Sequence, residues 1–269
     1  MSICSNEHKE YLKKIKRNNR TVLFFQIFIV IFFLGLWELA SRTELINSFL
    51  ASSPSMVYKT FISLIKTNNL WNHIYTTTFE VLVSFLLASL LGFIIASIFW
   101  FNKTIAKIMD PYLTVLNSLP KVALGPLIII WIGANTNSII FMALMISLFI
   151  TIINIYSGFI STDEYYVTLL KTLNATKLQI FTKLIVPSNK KNIINCLKVN
   201  ISMSLIGVVM GELLVSKEGL GYLIMYGSQV FNINLVITGV VLLAILSYIM
   251  YTIVSYIEKR MVENDVIPK

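Results

Sequence analysis

Six long apolar runs restrict this chain to a fold that can sit inside a lipid bilayer. A helix rises about 1.5 Å per residue, so about 20 helical residues cross the roughly 30 Å hydrocarbon layer. Backbone N–H and C=O groups cannot stay unpaired in lipid, so continuous apolar runs of this length are expected to form helices. The sequence therefore predicts an all-α integral membrane protein whose six spans cover residues 21–40, 74–100, 111–132, 139–160, 193–215 and 234–257.

The composition supports a membrane protein and argues against an added soluble module. Hydrophobic residues make up 56% of the 269 residues and charged residues 13%, whereas soluble domains carry about 25% charged residues. We expect one transmembrane domain, residues 21–257, between a basic tail (1–20) and a polar tail (258–269). The apolar run after Thr21 is too long for a cleavable signal, and Cys4 and Cys196 are predicted to be free thiols.

The formal net charge of +9 is explained by topology. Most of the 22 Lys and Arg residues fall in the two tails, in residues 101–110 and in residues 161–191, together with Lys198. Because positive residues accumulate on the cytoplasmic side, both termini are predicted to be cytoplasmic in a multi-pass plasma-membrane protein, with no nucleic-acid partner. The opposite side keeps Arg42, Lys59, Lys66 and Lys217, and Lys121 lies in the third span.

Two shorter segments are predicted to be helices that do not cross the bilayer. Ser53-Pro54 is typical of a helix start with proline in the first turn, and an amphipathic stripe follows it. Residues 216–233 contain Gly219 and Gly221, which indicate a turn leading into a short re-entrant or surface helix.

The third span is predicted to be broken. Proline inside a helix costs about 3 kcal/mol, and irregular backbone is tolerated in a membrane only where protein or a cavity covers it. The break therefore indicates the lining of a membrane pathway, although a simple kink packed against neighbouring helices explains it equally well. The candidate pathway residues are Pro120, Lys121, Gly125 and Pro126.

Three glutamates fall within or beside the spans, where a charge costs at least about 2.5–3.5 kcal/mol at mid-depth. Glu212 precedes Gly219 and Gly221, and we interpret these three as part of an outer pathway or gate. The alternative is a structural carboxylate hydrogen-bonded within the helix bundle. Glu38 and Glu80 are interpreted as interfacial.

Gly207 and Gly211 lie four residues apart in the fifth span. Small residues at this spacing allow two helix backbones to approach closely. The contact they make is either a subunit interface or packing within the chain.

The longest polar interval, residues 161–191, contains two helical patterns joined at Asn174. Asn tolerates the left-handed conformation that ends many helices. We therefore predict a helix, a sharp turn and a second helix that together form a docking element. The first apolar face comprises Tyr166, Leu169, Leu170 and Leu173, and the second comprises Leu178, Phe181, Leu184 and Ile185.

This interval resembles the cytoplasmic coupling loop of ABC importer permeases, which reads E-A-A, three residues, G, nine residues and I-x-L-P. Here Thr168-Leu169-Leu170, Asn174 and Leu184-Ile185-Val186-Pro187 occupy the same spacing. From about Leu34 to Glu258 the chain is similar to permeases of the nitrate, sulfonate and taurine type. Further features in the same order are Leu36-Trp37, Pro54-Ser55, Pro120 with Pro126, and Glu212 followed by Gly219-Leu220-Gly221-Tyr222.

The resemblance implies a six-helix type I ABC importer permease bundle with a coupling-helix loop. Its expected partners are two cytoplasmic ABC ATPases, a second permease subunit in a homodimer, and an outer or lipoprotein substrate-binding protein. The expected cargo is a small solute such as a sulfonate, nitrate, taurine or a thiamine precursor. The implied ATPase-coupling residues are Thr168, Leu169, Leu170, Leu173, Asn174, Ala175, Thr176 and Pro187.

No residue pattern in the chain indicates catalysis of its own. None of the eleven glycines precedes a lysine, so the phosphate-binding G-x-x-x-x-G-K-[ST] motif is absent. ATP and Mg²⁺ are expected on the partner ATPase, and His8 and His73 offer no metal cluster. One alternative is a self-contained secondary transporter or channel, whose sequence is expected to show inverted repeats and mid-membrane charges. The other is a membrane scaffold.

Overall fold

The computed structural model describes residues 6–45, 51–67 and 69–263, and within these ranges the chain forms helices and no strands. A 3₁₀ turn at Lys121–Leu124 and a π-helical turn at Phe181–Ile185 accompany them. The helices are α1 (Asn6–Arg42), α2 (Pro54–Lys66), α3 (Asn69–Phe101), α4 (Lys103–Ser118), α5 (Gly125–Ile132), α6 (Thr136–Ile160), α7 (Glu164–Thr172), α8 (Lys177–Ile180), α9 (Val186–Ser188), α10 (Lys190–Val215), α11 (Leu220–Gln229) and α12 (Ile233–Glu263).

The predicted spans correspond to five long apolar helices and one broken pair. Residues Arg20–Arg42 of α1, then α3, α6, α10 and Ile233–Glu258 of α12 are long and apolar enough to cross a membrane. The region of the predicted third span is α4 followed by Lys121–Ile132, with a bend of 84° between them, and it makes a sixth span if this bent pair crosses the membrane as one. The predicted interruption of the third span is therefore confirmed.

Several helix boundaries lie outside the predicted ones. Helix α1 begins at Asn6, inside the predicted basic tail, and α12 continues to Glu263. Helix α4 begins at Lys103 because the Asn102 side chain accepts hydrogen bonds from the Thr104 and Ile105 N–H groups at 3.1 and 3.2 Å. Hydropathy marks where a helix is apolar, not where it ends. Residues 1–5, including Cys4, and 264–269 lie outside the described part.

The two shorter predicted helices are present. Ser53 caps α2 by accepting a hydrogen bond from the Met56 N–H, and Pro54 occupies the first turn. Helix α11 follows Gly219, whose φ of +109° lies in the left-handed region. Both predictions are confirmed.

The centre of the bundle is formed by α3, α6 and α10. A Cβ atom on Gly207 would lie 2.4 Å from the Cα of Ala143, and one on Gly211 would lie 2.9 Å from a methyl group of Ile139. The two glycines therefore bring α10 against α6 within the chain. The apolar cluster at this contact includes Val81, Ile139, Ala143, Ile201 and Val208.

Helix α1 stands at the side of the bundle, with its apolar side chains exposed through most of its membrane-spanning part. Near its end, Glu38 pairs with Arg42 at 2.7 Å and accepts a hydrogen bond from the Ser55 N–H at 3.1 Å. The Trp37 indole N–H donates to the Ala51 carbonyl at 3.2 Å. These hydrogen bonds fasten this end of α1 to the start of α2.

Candidate functional site

The polar interval folds into a compact helical hairpin, residues 161–189, in which the first helix ends as predicted. Asn174 has a φ of 58°, which confirms the left-handed turn. The Ala175 N–H donates to the Leu170 carbonyl at 3.0 Å, and the Asn174 N–H donates to the Lys171 carbonyl at 3.0 Å. This pair of hydrogen bonds defines a Schellman motif, which satisfies the last carbonyls of α7.

The second helix of the hairpin starts with reciprocal capping. The Gln179 N–H donates to Thr176 Oγ1 at 3.3 Å, and the Thr176 N–H donates to Gln179 Oε1 at 2.8 Å. Directly after α8 the backbone widens into the π-helical turn. We attribute this widening to Pro187, which has no N–H with which to continue the α-helical pattern.

The hairpin has an outer and an inner apolar side. We define the docking strip as Tyr165, Tyr166, Leu169 and Leu173, which lie on one face of α7 and are all exposed. Leu170 and Val167 instead pack against the cluster of buried residues beneath the hairpin. Leu169 and Leu170 were predicted to share one face, but Leu170 lies on the inner side of the hairpin and Leu169 on the outer side.

The remaining predicted coupling residues lie around the turn. Thr168, Asn174, Thr176 and Pro187 are exposed, and Ala175 is half-buried. In the second helix Phe181 and Ile185 are buried as expected. Leu178, predicted to share their face, is 63% exposed, because the π-helical turn changes the register after it.

Phe181 joins the hairpin to the membrane helices. Its ring centroid lies 5.1 Å from that of Trp100 and 5.0 Å from that of Phe101, at the end of α3. It also lies 5.4 Å from that of Phe159, at the end of α6. At the base of the hairpin the Asn189 amide donates to Thr162 Oγ1 at 2.7 Å. Phe181 therefore places the hairpin in direct ring contact with the ends of α3 and α6.

The broken span places its predicted residues in two environments. Pro120 and Pro126 are exposed, whereas a Cβ atom on Gly125 would lie 2.6 Å from a methyl group of Leu214. Gly125 therefore packs against α10. The Lys121 ammonium donates to the Asn117 carbonyl and side-chain oxygens, each at 3.1 Å, and lies 5.8 Å from the centroid of the Phe149 ring.

Glu212 lies in a buried junction between α3, α10 and α11. Its Oε1 accepts a hydrogen bond from the Thr77 hydroxyl at 2.6 Å, and its Oε2 accepts one from the Gly221 N–H at 2.5 Å. The Leu220 N–H donates to Thr77 Oγ1 at 2.8 Å. A Cβ atom on Gly219 would lie 2.3 Å from Glu212 Oε1, so only glycine permits this approach. The start of α11 is thus bound to two membrane helices.

Glu80 lies beside this junction, and its side chain is fully buried in protein, whereas the interfacial interpretation placed it at the membrane surface. Thr77 and His73, which complete the junction from the same helix, carry no sequence signal beyond their spacing of about one helical turn from each other and from Glu80. Sequence reasoning therefore missed them.

The chain resembles known membrane transport proteins over most of its length. The family model described as "Binding-protein-dependent transport system inner membrane component" matches residues 88–263. The putative aliphatic sulfonates transport permease protein SsuC of Bacillus subtilis is 25% identical over 230 residues, covering 86% of this chain and 83% of its own. The formylaminopyrimidine transport permease protein ThiX of Halalkalibacterium halodurans is 28% identical over 200 residues, covering 74% and 77% respectively.

Among solved structures, a chain of the MetNI methionine ABC transporter superposes with a TM-score of 0.62 at 17% identity. The match covers 72% of this chain and 95% of that chain. At this identity the similarity concerns the fold.

Proposed function

Because the chain belongs to the family of binding-protein-dependent transport system inner membrane components, we propose that its hairpin is the element through which a partner ATPase drives it. The chain is a multi-pass permease subunit of an ABC importer, a class that works with ATPase and binding-protein subunits.

The observation that carries this proposal is the docking strip. Four large apolar or aromatic side chains on one short helix are exposed, and two further side chains of the same helix hold it against the bundle. An exposed strip of this kind at a polar end of the molecule fits a groove on a cytoplasmic protein. Nucleotide-driven movement of that groove would then tilt α3 and α6 through Phe181.

The test is a single charge placed on the strip. Leu169→Asp should reduce co-purification with the ATPase subunit and abolish ATP-dependent uptake, while the amount of permease in the membrane stays unchanged. Leu178→Asp is the matched control, because it places the same charge on an exposed leucine outside α7. Normal uptake by Leu169→Asp, or equal loss in both variants, would refute the docking strip.

The proposed assembly has two copies of this permease, two ATPases and an outer binding protein, with both permease termini in the cytoplasm. The basic residues of the polar loops and tails support this orientation. Impermeant labelling of a cysteine introduced at Lys177 should succeed only after the membrane is opened. Labelling from outside intact cells would reverse the topology and remove the hairpin from the ATPase.

The proposed cargo is a small polar solute of the sulfonate or aminopyrimidine class. Relatives named for aliphatic sulfonates and for formylaminopyrimidine support both possibilities. Calorimetric titration of the cognate binding protein with ethanesulfonate, taurine and formylaminopyrimidine separates them. Uptake by the permease alone, without the ATPase or ATP, would instead favour the secondary-transporter alternative.

A further inference from the structure

We propose that Glu80 and Glu212 form a buried proton-binding site in which one proton, carried by Glu80, is held between the two carboxyl groups. The two side chains project from neighbouring helices, α3 and α10, into one buried junction, where Thr77, one helical turn before Glu80, donates a hydrogen bond to Glu212 at 2.6 Å. The proposal concerns the junction at the start of α11 and does not depend on the cargo or on the coupling hairpin.

Glu80 is buried without a hydrogen-bond partner in the part of the chain that the structure describes. Glu80 is 0% exposed and Glu212 is 1% exposed. Neither carboxyl oxygen of Glu80 has a hydrogen-bond partner among the described residues. An ionised carboxylate in that position would lose its hydration without compensation, which is one of the largest penalties in folding. A neutral carboxylic acid avoids the penalty and acquires a hydroxyl that can donate.

Glu212 has the hydrogen-bond donors that the charged member of the pair requires. Its two oxygens accept the hydrogen bonds from Thr77 and Gly221, and Gly221 lies in the first turn of α11. A helix start favours a negative charge, because its N–H groups and dipole point at the ligand. Glu212 is therefore the acceptor in the pair and Glu80 the donor.

The helices that enclose the pair offer it no compensating cation. Helices α3, α6 and α11 contain no Lys or Arg, and His73 accepts the Gly219 N–H through Nδ1, as only a neutral imidazole can. On α10 the last lysine, Lys198, pairs with Glu258 and precedes Glu212 by about 21 Å of helix. The other titratable groups on these elements are Lys217 and Glu218, which are exposed in the linker, Tyr75 of α3, Tyr156 of α6, Lys190, Lys191 and Cys196 of α10, and Tyr222 and Tyr226 of α11.

Two adjacent carboxylates that share a desolvated site do not both ionise, so one proton must balance the pair. Removing that proton would place two negative charges side by side at the point where α11 is bound to α3 and α10. The folded site would then hold a proton that the unfolded chain releases at neutral pH, so stability should fall as the pH rises.

The test uses the full-length permease with its ATPase partner, reconstituted in lipid. Infrared spectra at neutral pH should show a protonated-carboxyl band that shifts when glutamate is labelled with ¹³C. The band should disappear in Glu80→Gln, whose amide keeps the shape and the donor. It should persist in the control Glu218→Gln, because Glu218 is exposed in the neighbouring linker.

A second readout is the unfolding midpoint measured against pH. The wild-type midpoint should decline on the alkaline side and that of Glu80→Gln should not. A ¹³C-insensitive band, or a band unchanged in Glu80→Gln, would overturn the proposal. The proposal would also be overturned if the band were absent and Na⁺ raised the unfolding midpoint, since the pair would then hold a metal cation. If Glu80→Gln fails to fold, Glu212→Gln removes the other member of the pair; the band and the alkaline decline should then both change, and their persistence unchanged would overturn the proposal.

Discussion

Replacing Phe181 by alanine should loosen the hairpin without disturbing the bundle. The ring is 7% exposed and contacts three other rings on α3 and α6. Truncation of a buried phenylalanine typically costs 3–5 kcal/mol, and each aromatic pair adds about 0.5–1.5 kcal/mol to plain burial. We take about 3 kcal/mol as the loss in the free energy that holds the hairpin closed.

A loss of about 3 kcal/mol raises the population of the opened hairpin roughly a hundredfold, since about 1.4 kcal/mol corresponds to a factor of ten. Hydrogen–deuterium exchange of the permease in lipid nanodiscs measures this population directly. Amides of residues 164–185 should exchange roughly a hundredfold faster in Phe181→Ala, while those in the middle of α6 stay unchanged. ATPase activity should continue but should no longer drive uptake.

Phe79→Ala is the control for Phe181→Ala, because Phe79 is 47% exposed on α3 and contacts Tyr75 outside the hairpin. It should leave exchange in the hairpin at the wild-type rate. If Phe181→Ala left the hairpin protected, or accelerated exchange in α6 by the same factor, the inference that this ring joins two separable units would be wrong.

Two further pairs of substitutions, each a variant with its control, test the packing of the bundle. Gly207→Ala should destabilise the permease by about 1–3 kcal/mol, because the added Cβ would press on the Ala143 backbone. Gly35→Ala is the control and should leave stability unchanged, because nothing lies within 4 Å of its Cβ position. Unfolding midpoints measured by fluorescence that fall equally in both variants would contradict this. Thr77→Val should lower the free energy of unfolding by about 1–3 kcal/mol, because it leaves Glu212 Oε1 and the Leu220 N–H unpaired. Thr77→Ser keeps the hydroxyl and should restore most of that loss. Equal unfolding midpoints for the two Thr77 variants would show that the hydroxyl does not stabilise the junction.

The features of the fold that depend on neighbouring residues in the chain could be predicted from the sequence. The apolar runs located the spans, Ser53-Pro54 located the start of α2, and Asn174 located the turn of the hairpin. Each of these depends on residues close together in the chain. Pro120 likewise predicted the break in the third span, but the 84° bend was not predictable, because neighbouring helices set the packing around it.

What could not be predicted depends on contacts between distant residues. Leu169 and Leu170 are adjacent and equally apolar, and only the packing against the bundle decides that the second faces inward. Glu80 looked interfacial by its distance from the end of a span. Its burial follows from the approach of α10, which no local pattern of α3 reveals.

The hairpin turn is locked on both sides, by a Schellman motif before it and by reciprocal capping after it. We therefore expect it to move as one stiff unit about its base, where the Asn189 side chain donates a hydrogen bond to Thr162. Since α7 is about 14 Å long, a rotation of about ten degrees at the base displaces the tip by on the order of 2 Å. A displacement of that size is large enough to repack the side chains beneath the hairpin without unfolding any helix.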